Sequence, residues 1–199
     1  MTGAPPIVVG ITGASGAPYA VRLLQQLTAA HRSVSLIVSK YGMRLLETEM
    51  GIGSVDALRT AVGANAWDSC VQSYSNDDRG APPASGSALT AGMIVCPCSM
   101  GTLSAISVGS SRSLIERAAD VTLKEKRKLI LVPRETPLSA IHLANMLRLT
   151  RAGAVVMPAS PGFYHRPKAI SDLVDFVVAR MLDHLQVEQA LIKPWDGEN

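Results

Sequence analysis

Short apolar runs alternate with stretches of helical periodicity along this chain. The alternation is regular, with a helical stretch between most of the runs, and each run has the length of a strand that is buried on both faces. These predicted strands are Ile7 to Ile11, Val34 to Val38, Met93 to Cys96, Leu129 to Val132 and Ala154 to Met157.

Apolar residues recur at intervals of three and four residues between these runs, as they do on the buried face of a helix. One helix is expected after Gly16 and another near Ser99. The other predicted helices are Tyr41 to Glu49, Val55 to Val62, Leu114 to Lys126, Leu138 to Arg151 and Ile170 to Leu185. Alternating strands and helices predict an α/β fold, a doubly wound parallel sheet with helices on both faces.

One internal segment and the C-terminus do not follow this pattern. Ser69 to Thr90 is rich in turn-forming residues and has no periodicity, which predicts a long loop that is functional or disordered. The last ten residues, 190–199, are expected to form a peripheral tail, although Trp195 suggests that the tail docks.

Length and composition predict a single domain, 1–199, without a membrane-spanning or secretory segment. The 199 residues are 47% hydrophobic, but the longest apolar runs are far shorter than the ~20 residues of a transmembrane helix. A net charge of +3 and only 4% aromatic residues argue against nucleic-acid binding. Three cysteines form neither a disulfide framework nor a paired metal motif, and a reducing cytoplasm fits them best.

The first strand runs into a loop in which Gly10, Gly13 and Gly16 are spaced by three. This spacing is neither the dinucleotide fingerprint nor a Walker A loop. Free N–H groups where a helix begins suit a phosphate, and Ser15 adds a hydroxyl, so a phosphate site is one interpretation. A tight turn that requires small residues is the other. In a doubly wound sheet, ligands bind beyond the carboxyl ends of the strands, so the loops at those ends are considered together.

Four cations, Lys124, Arg134, Arg166 and Arg180, are first read as solvated surface charges. Arg134 directly follows a predicted strand and should emerge at the ligand edge of the sheet, which favours anion binding. Arg180 lies inside the apolar helix Ile170 to Leu185 and is a second candidate.

Glu135 has two interpretations. It could pair with an arginine, or, if partly desolvated near a phosphate, it could pass protons at neutral pH. The four histidines have no mutual ligand spacing, so no metal site is expected. Cys98 and Met100 are predicted to be packing residues. Ser99 lacks the Gly-x-Ser-x-Gly pattern of a hydrolase nucleophile.

Seven segments, in order and spread over nearly the whole chain, resemble the flavin prenyltransferases of the UbiX/Pad1 type. They are Gly10 to Ala17, Ala81 to Ser87, Pro97 to Leu103, Glu116 to Val121, Leu123 to Glu125, Val132 to Pro137 and Gly162 to His165. The resemblance implies a flavodoxin-like (Rossmann-like) fold with three layers and a bound flavin mononucleotide, FMN. It also implies transfer of a dimethylallyl group from dimethylallyl monophosphate to N5 and C6 of reduced FMN.

The same resemblance implies partners and residue roles. The product, prenylated FMN, would serve UbiD-type decarboxylases. The protein would be a homo-oligomer, usually a dodecamer, whose sites are completed by neighbouring subunits. Tyr164 and Arg180 would act across the interface between subunits. Ser15 and Glu135 would form a proton relay, with Lys124 as a third catalytic residue. Flavin-binding positions by this resemblance are Gly13, Ala14, Ser15, Ser39, Ser99, Met100, Gly101, Thr102 and Arg134, and the prenyl-phosphate shell is Lys124, Arg134, Glu135, Tyr164, Arg180, Arg117 and Glu49.

A metal-free site is consistent with the residues, because the chain has only one Asp-Asp pair, Asp77-Asp78, in a predicted loop.

The sequence departs from the family pattern at Arg79-Gly80, where several relatives carry an aromatic residue near the flavin. Two rival functions are an FMN-dependent cysteine decarboxylase and a non-catalytic flavin carrier. This chain lacks the Pro-x-Met-Asn segment that is characteristic of the cysteine decarboxylases. A flavin carrier would not need a second set of anion-binding cations.

Overall fold

All six strands of the computed structural model, which describes residues 4–193, lie parallel in one sheet. The strands are β1 (Ile7–Ile11), β2 (Val34–Val38), β3 (Val71–Ser75), β4 (Gly92–Cys98), β5 (Leu129–Pro133) and β6 (Val155–Val156). The helices are α1 (Ala17–Ala29), α2 (Lys40–Met50), α3 (Val55–Val62), α4 (Ala64–Cys70), α5 (Met100–Ser107), α6 (Leu114–Lys124), α7 (Ala140–Arg151) and α8 (Ile170–Leu185).

The sheet order is β3-β2-β1-β4-β5-β6, and it confirms the predicted doubly wound α/β fold. The five strands expected from the sequence have among themselves the order 2-1-3-4-5 of flavodoxin-like proteins. The sixth, β3, pairs with β2 and extends the sheet to the 3-2-1-4-5-6 order of dinucleotide-binding folds. In both descriptions the strand order reverses between β1 and β4, and the crevice for a ligand opens beyond the carboxyl ends of these two strands.

Two hydrophobic clusters cover the two faces of the sheet. One face packs against α1 and α8 and includes side chains from α2, α3 and α4. The other face packs against α5, α6 and α7. Every residue of β1, β4 and β5 is buried, because these central strands have helices on both sides. Since the residues of a strand alternate between the faces, continuous apolar runs are what such strands require.

The strand β4 extends two residues beyond the predicted end at Cys96. Proline cannot donate to a ladder, which is why the sequence suggested a stop. The pairing with β5 is instead irregular between Val95 and Cys98, and Cys98 then pairs with Pro133. Cys98 is fully buried and Met100 nearly so, as predicted for packing residues. Burial raises the pKa of the Cys98 thiol to about 12.

The segment Ser69 to Thr90, predicted as a loop, contains the end of α4 and the strand β3. The prediction was wrong for these residues because β3 is an edge strand with half-exposed side chains, and such a strand carries little hydrophobic signal. The rest of the segment follows the outside of α6. Arg117 donates to the Ala84 carbonyl at 3.2 Å, and Arg127 donates to the Gly86 carbonyl at 2.7 Å.

The described part of the C-terminal tail contacts the domain. The side-chain amide oxygen Oε1 of Gln189 accepts from the N–H groups of Leu191 and Ile192, and Leu191 packs against the core. Trp195, for which docking was suggested, lies outside the described residues. No helix within residues 4–193 is long and apolar enough to cross a membrane.

Gly42 generates a stability prediction, because α2 begins in close contact with the end of β1. A Cβ at residue 42 would lie 2.4 Å from the Ile11 carbonyl oxygen, so Gly42→Ala must push the helix away. We expect a loss of about 2 kcal/mol and a fall of roughly 4–8 °C in thermal midpoint. Gly53→Ala is the control, since its Cβ would make an ordinary contact with Glu47. Equal midpoints for the two variants would contradict the close approach.

Candidate functional site

Thr12 joins the two loops that leave β1 and β4. Its N–H and its hydroxyl both donate to the Pro97 carbonyl, at 3.2 and 2.9 Å, and its hydroxyl oxygen accepts from the Ser99 N–H at 2.8 Å. The residue is 2% exposed. These three bonds continue the contact between the strands beyond the last paired residues, Gly10 and Val95. They fix the relative position of the two loops at the ligand edge.

Three helices begin with a serine cap around one cavity at this edge. The hydroxyl oxygens of Ser39, Ser99 and Ser113 accept from N–H groups three residues later, at the starts of α2, α5 and α6. The cavity has a volume of about 260 Å³. Its lining is mostly polar and uncharged, and consists of Thr12, Gly13, Ser39, Tyr41, Asn76, Ser99, Thr102, Ser113, Ile115 and Glu116.

The backbone donors at this cavity fit a phosphate. Lys40 and Tyr41 in α2, and Met100 and Gly101 in α5, have N–H groups with no acceptor among residues 4–193. Helix N-termini with free N–H groups and positive dipole ends attract anions. The first N–H groups of α6 are already used, because Asn76 accepts from both Leu114 and Ile115. The residues present therefore suit the phosphate of FMN, held by α2 and α5 with serine and threonine hydroxyls.

Glu49 corrects the simplest interpretation of the glycine-rich loop. Its carboxylate accepts from the N–H groups of Gly16 and Ala17, at 3.0 and 2.8 Å, where α1 begins. These two donors were expected to be free for a phosphate, and a protein carboxylate satisfies them instead. Burial raises the pKa of Glu49, but hydrogen bonds from Ser15, Gly16 and Ala17 and the charge of Arg134 outweigh it and hold the pKa below its usual value.

Arg134 emerges at the ligand edge, where its position after β5 predicted it. Its Nε donates to the Ser15 carbonyl at 3.4 Å, a long hydrogen bond, and its charge acts on Glu49. Ser15, Glu49 and Arg134 thus form one polar cluster beside the cavity. Glu135 is exposed and accepts from the Thr136 N–H at 3.0 Å. The described structure places Glu49, and not Glu135, against Ser15.

Lys124 and Arg180 do not join this cluster within one chain. Lys124 ends α6 a few residues before β5 starts, which places it at the amino edge of the sheet, where it pairs with Glu125. Arg180 lies near the end of α8, whose His184 carbonyl accepts from Lys128 at that same edge, and it pairs with Asp183 at 2.8 Å. These two cations therefore do not meet Arg134 within one subunit, and their convergence through neighbouring subunits stays a prediction.

Arg117 and Tyr164 make contacts of their own outside this cluster. Arg117 points from α6 toward the segment alongside it and pairs with Asp120 at 2.8 Å. Tyr164 follows β6 and contacts the rings of His165 and Phe176 edge to face.

Sequence analysis did not identify several of the residues that line the cavity. Ser113 and Glu116 have the Ser-x-x-Glu spacing of a capping box, which could have identified the start of α6. Glu116 in fact accepts from the Ser110 hydroxyl and the Arg112 N–H, at 3.1 and 2.8 Å. Asn76 and Tyr41 carry no such signal, because only the tertiary contacts bring them to the cavity.

Comparison with known proteins shows the family to which this chain is related. The chain matches the Flavoprotein family over residues 1–182. It is 47% identical to the flavin prenyltransferase UbiX of Pseudomonas aeruginosa over 205 aligned residues, which cover 100% of this chain and 98% of the relative. It is 48% identical to the flavin prenyltransferase UbiX of Halalkalibacterium halodurans over 191 residues, 96% of this chain and 93% of the relative.

Solved structures give the same result. AnUbiX (PadA1), crystallised with FMN and dimethylallyl pyrophosphate, is 41% identical with a TM-score of 0.91 over 99% of this chain and 100% of its own. A dodecameric FMN-dependent UbiX-like decarboxylase from Escherichia coli O157:H7 is 43% identical with a TM-score of 0.88, covering 96% of this chain and 100% of its own. A variant PPC decarboxylase, 16% identical with a TM-score of 0.59, shares the fold. The family resemblance inferred from the motifs is thus confirmed, and the chain belongs to the UbiX family of flavin prenyltransferases.

Proposed function

We propose that this chain transfers a dimethylallyl group from dimethylallyl monophosphate to reduced FMN, giving prenylated FMN. The observation that carries the proposal is the cavity at the reversal point of the sheet, where Gly13, Ser39, Ser99 and Thr102 meet as the family resemblance implies. The cluster of Ser15, Glu49 and Arg134 lies directly beside it. Reduced FMN, when bound, supplies the nucleophilic N5 and C6 atoms.

The cavity holds the flavin phosphate with neutral donors. Backbone N–H groups of α2 and α5 and the hydroxyls of Ser39, Ser99 and Thr102 face the anion, and no lysine or arginine lines the cavity within the described chain. Gly13 and Ala14 support the loop between the cavity and Ser15. The lysine and arginine side chains therefore remain available for the phosphate of the prenyl donor.

Ser15 and Glu49 handle a proton in this proposal. The Ser15 hydroxyl donates a hydrogen bond to the Glu49 carboxylate, and this bond fixes the direction of the hydroxyl. The lowered pKa of Glu49 keeps the carboxylate ionised at neutral pH. Such a serine can accept a proton on its oxygen while giving its own to the carboxylate. Glu135 protonates the departing phosphate from its exposed position after β5.

Arginine and lysine stabilise the leaving group. Breaking the allylic carbon–oxygen bond puts negative charge on the departing phosphate, and preorganised cations lower the energy of that charge. Arg134 is the cation at the ligand edge of the same chain. Lys124 and Arg180 lie at the opposite edge of the sheet, so they can join it only from other copies of the chain, and Arg117 and Tyr164 complete the proposed phosphate shell.

A homo-oligomer provides such copies, and the dodecamer is the proposed form. The helix α7 and the residues before it expose Leu138, Ile141, Leu143 and Leu147, and only Leu149 of the helix is buried. An apolar helix face of this kind usually marks an interface between proteins. A dodecameric relative with 43% identity supports this assembly.

The remaining parts of the proposal are the recipient, the compartment and the rival functions. We propose a UbiD-type decarboxylase as recipient of the product. The cytoplasm is the proposed compartment because Cys70, Cys96 and Cys98 are free thiols in the described chain. The cysteine-decarboxylase alternative has only a likeness of fold in its favour. A flavin carrier gives no role to Glu135 and Lys124.

The proposed reaction is tested by mass spectrometry of the flavin. Protein, reduced FMN and dimethylallyl monophosphate, incubated without oxygen and with EDTA, should give a flavin heavier by one dimethylallyl unit. A parallel incubation with dimethylallyl diphosphate, the donor seen with a relative, tests the preference for the monophosphate. Unchanged FMN with both donors would leave the carrier function.

Sharing of the site between subunits is tested by mixing two inactive variants. Ser15→Ala and Lys124→Met should each abolish most of the activity in a uniform assembly. If each site takes these residues from different copies, coexpression of the two variants restores intact residues in about a quarter of the sites. If one subunit supplied both, no mixed assembly would contain an intact site, and activity would stay at the level of the single variants.

The Glu49 contact predicts a pH-dependent stability. A pKa below the usual carboxyl value means that the contact stabilises the fold above that value and is lost as the pH falls through the lowered pKa. Glu49→Gln should therefore cost about 0.5 kcal/mol near neutral pH, and the difference from wild type should vanish in acid. Thermal unfolding at a series of pH values measures it. Glu47→Gln lies on the same helix, and within residues 4–193 the Glu47 side chain makes no hydrogen bond to α1, so this variant should show no such convergence.

A further inference from the structure

Tyr41 stands at the rim of the cofactor cavity in an unusual environment for a large aromatic residue. It lies in the first turn of α2, two residues after the Ser39 cap, and 66% of it is exposed. A Cβ placed on Gly13 would come within 2.6 Å of the Tyr41 Cβ. The base of the side chain is therefore held tightly against the glycine-rich loop, while the ring extends into solvent.

Tyr41 is also the one aromatic residue that lines this cavity within residues 4–193. The other lining side chains are small hydroxyl groups, an amide, a carboxylate and Ile115. Pockets that enclose a ligand of the size of FMN usually measure about 300–1,000 Å³. The cavity, at about 260 Å³, has room for the phosphate and part of the sugar chain, so the rest of the flavin must extend past the rim.

We propose that Tyr41 is a specificity-determining residue for the flavin, and that its ring is the aromatic wall on which the part of FMN outside the cavity packs. This inference rests on the proposed flavin site. Flat heteroaromatic groups stack on tyrosine because both rings are polarisable and because stacking removes the apolar surface of both from water. The contact with Gly13 fixes the start of the side chain, so little freedom is lost when the ring meets the flavin.

The ring, and not the hydroxyl, carries the proposed contact. The phosphate already has four free N–H groups and several hydroxyls at the helix starts. A phenol at the rim adds little to that donor set, whereas no other described residue of the lining offers a flat apolar surface. Removal of the hydroxyl alone should therefore leave flavin affinity nearly unchanged.

The dissociation constant for FMN, measured by fluorescence titration of the purified full-length protein, tests this inference. Tyr41→Phe should stay within about twofold of wild type, and Tyr41→Ala should bind about tenfold more weakly. Tyr41→Leu, which keeps apolar bulk without the aromatic face, should fall between them. Val108→Ala removes another exposed apolar side chain, at the opposite end of α5, and should bind as wild type does.

The mass of each assembly, measured by light scattering, separates a flavin contact from a subunit contact. The inference requires that Tyr41→Ala keep the wild-type mass while its affinity falls. An affinity within twofold of wild type, a weakened Tyr41→Phe, or a loss of affinity that accompanies a smaller assembly would each overturn it. Failure of the wild-type protein to bind FMN would overturn the proposed function as well, so the two failures are distinguishable.

Discussion

The hydroxyl of Thr12 holds together the two loops on which the cofactor site depends. Where β1 and β4 stop pairing, the chain turns to opposite faces of the sheet, and nothing in the backbone ladder fixes one loop against the other. Thr12 replaces that ladder with bonds to the Pro97 carbonyl and the Ser99 N–H. Because the residue is buried, these bonds have no water to compete with them. The start of α5 takes its position from this junction, and the start of α2 is held beside it by the Ser39 N–H, which donates to the Ile11 carbonyl.

Two kinds of anion chemistry are separated in this molecule. The cavity proposed for the cofactor phosphate offers neutral donors, namely free N–H groups and hydroxyls, while Lys124 and Arg180, two of the cations proposed for the prenyl phosphate, lie elsewhere on the subunit. A dianion held by neutral dipoles keeps its position without drawing lysine or arginine away from the leaving group. The distance between Lys124 and Ser15, at opposite edges of one sheet, makes assembly of several copies part of the proposed catalytic design.

The glycine-rich loop has a different role from the one that a helix N-terminus first suggests. Its last two N–H groups bind the Glu49 carboxylate, so a residue of α2 fixes the start of α1. Glu49 also accepts from Ser15, whose carbonyl in turn accepts from Arg134. The N–H groups of this loop at the start of α1 are thus occupied by a protein carboxylate, and the donors that remain free for the proposed phosphate are those of α2 and α5.

The sequence by itself determined the α/β class, five of the six strands, the long helices and the family, since periodicity and motif order depend on neighbours along the chain. It also placed Arg134 at the ligand edge, because a residue after a buried strand has nowhere else to emerge. Only the tertiary structure decided that Glu49 meets the loop of Ser15, that Asn76 and Tyr41 reach the cavity, and that Lys124 lies at the other edge. These contacts join residues far apart in the chain, and β3 gave no signal because an edge strand buries too little apolar surface to show a pattern.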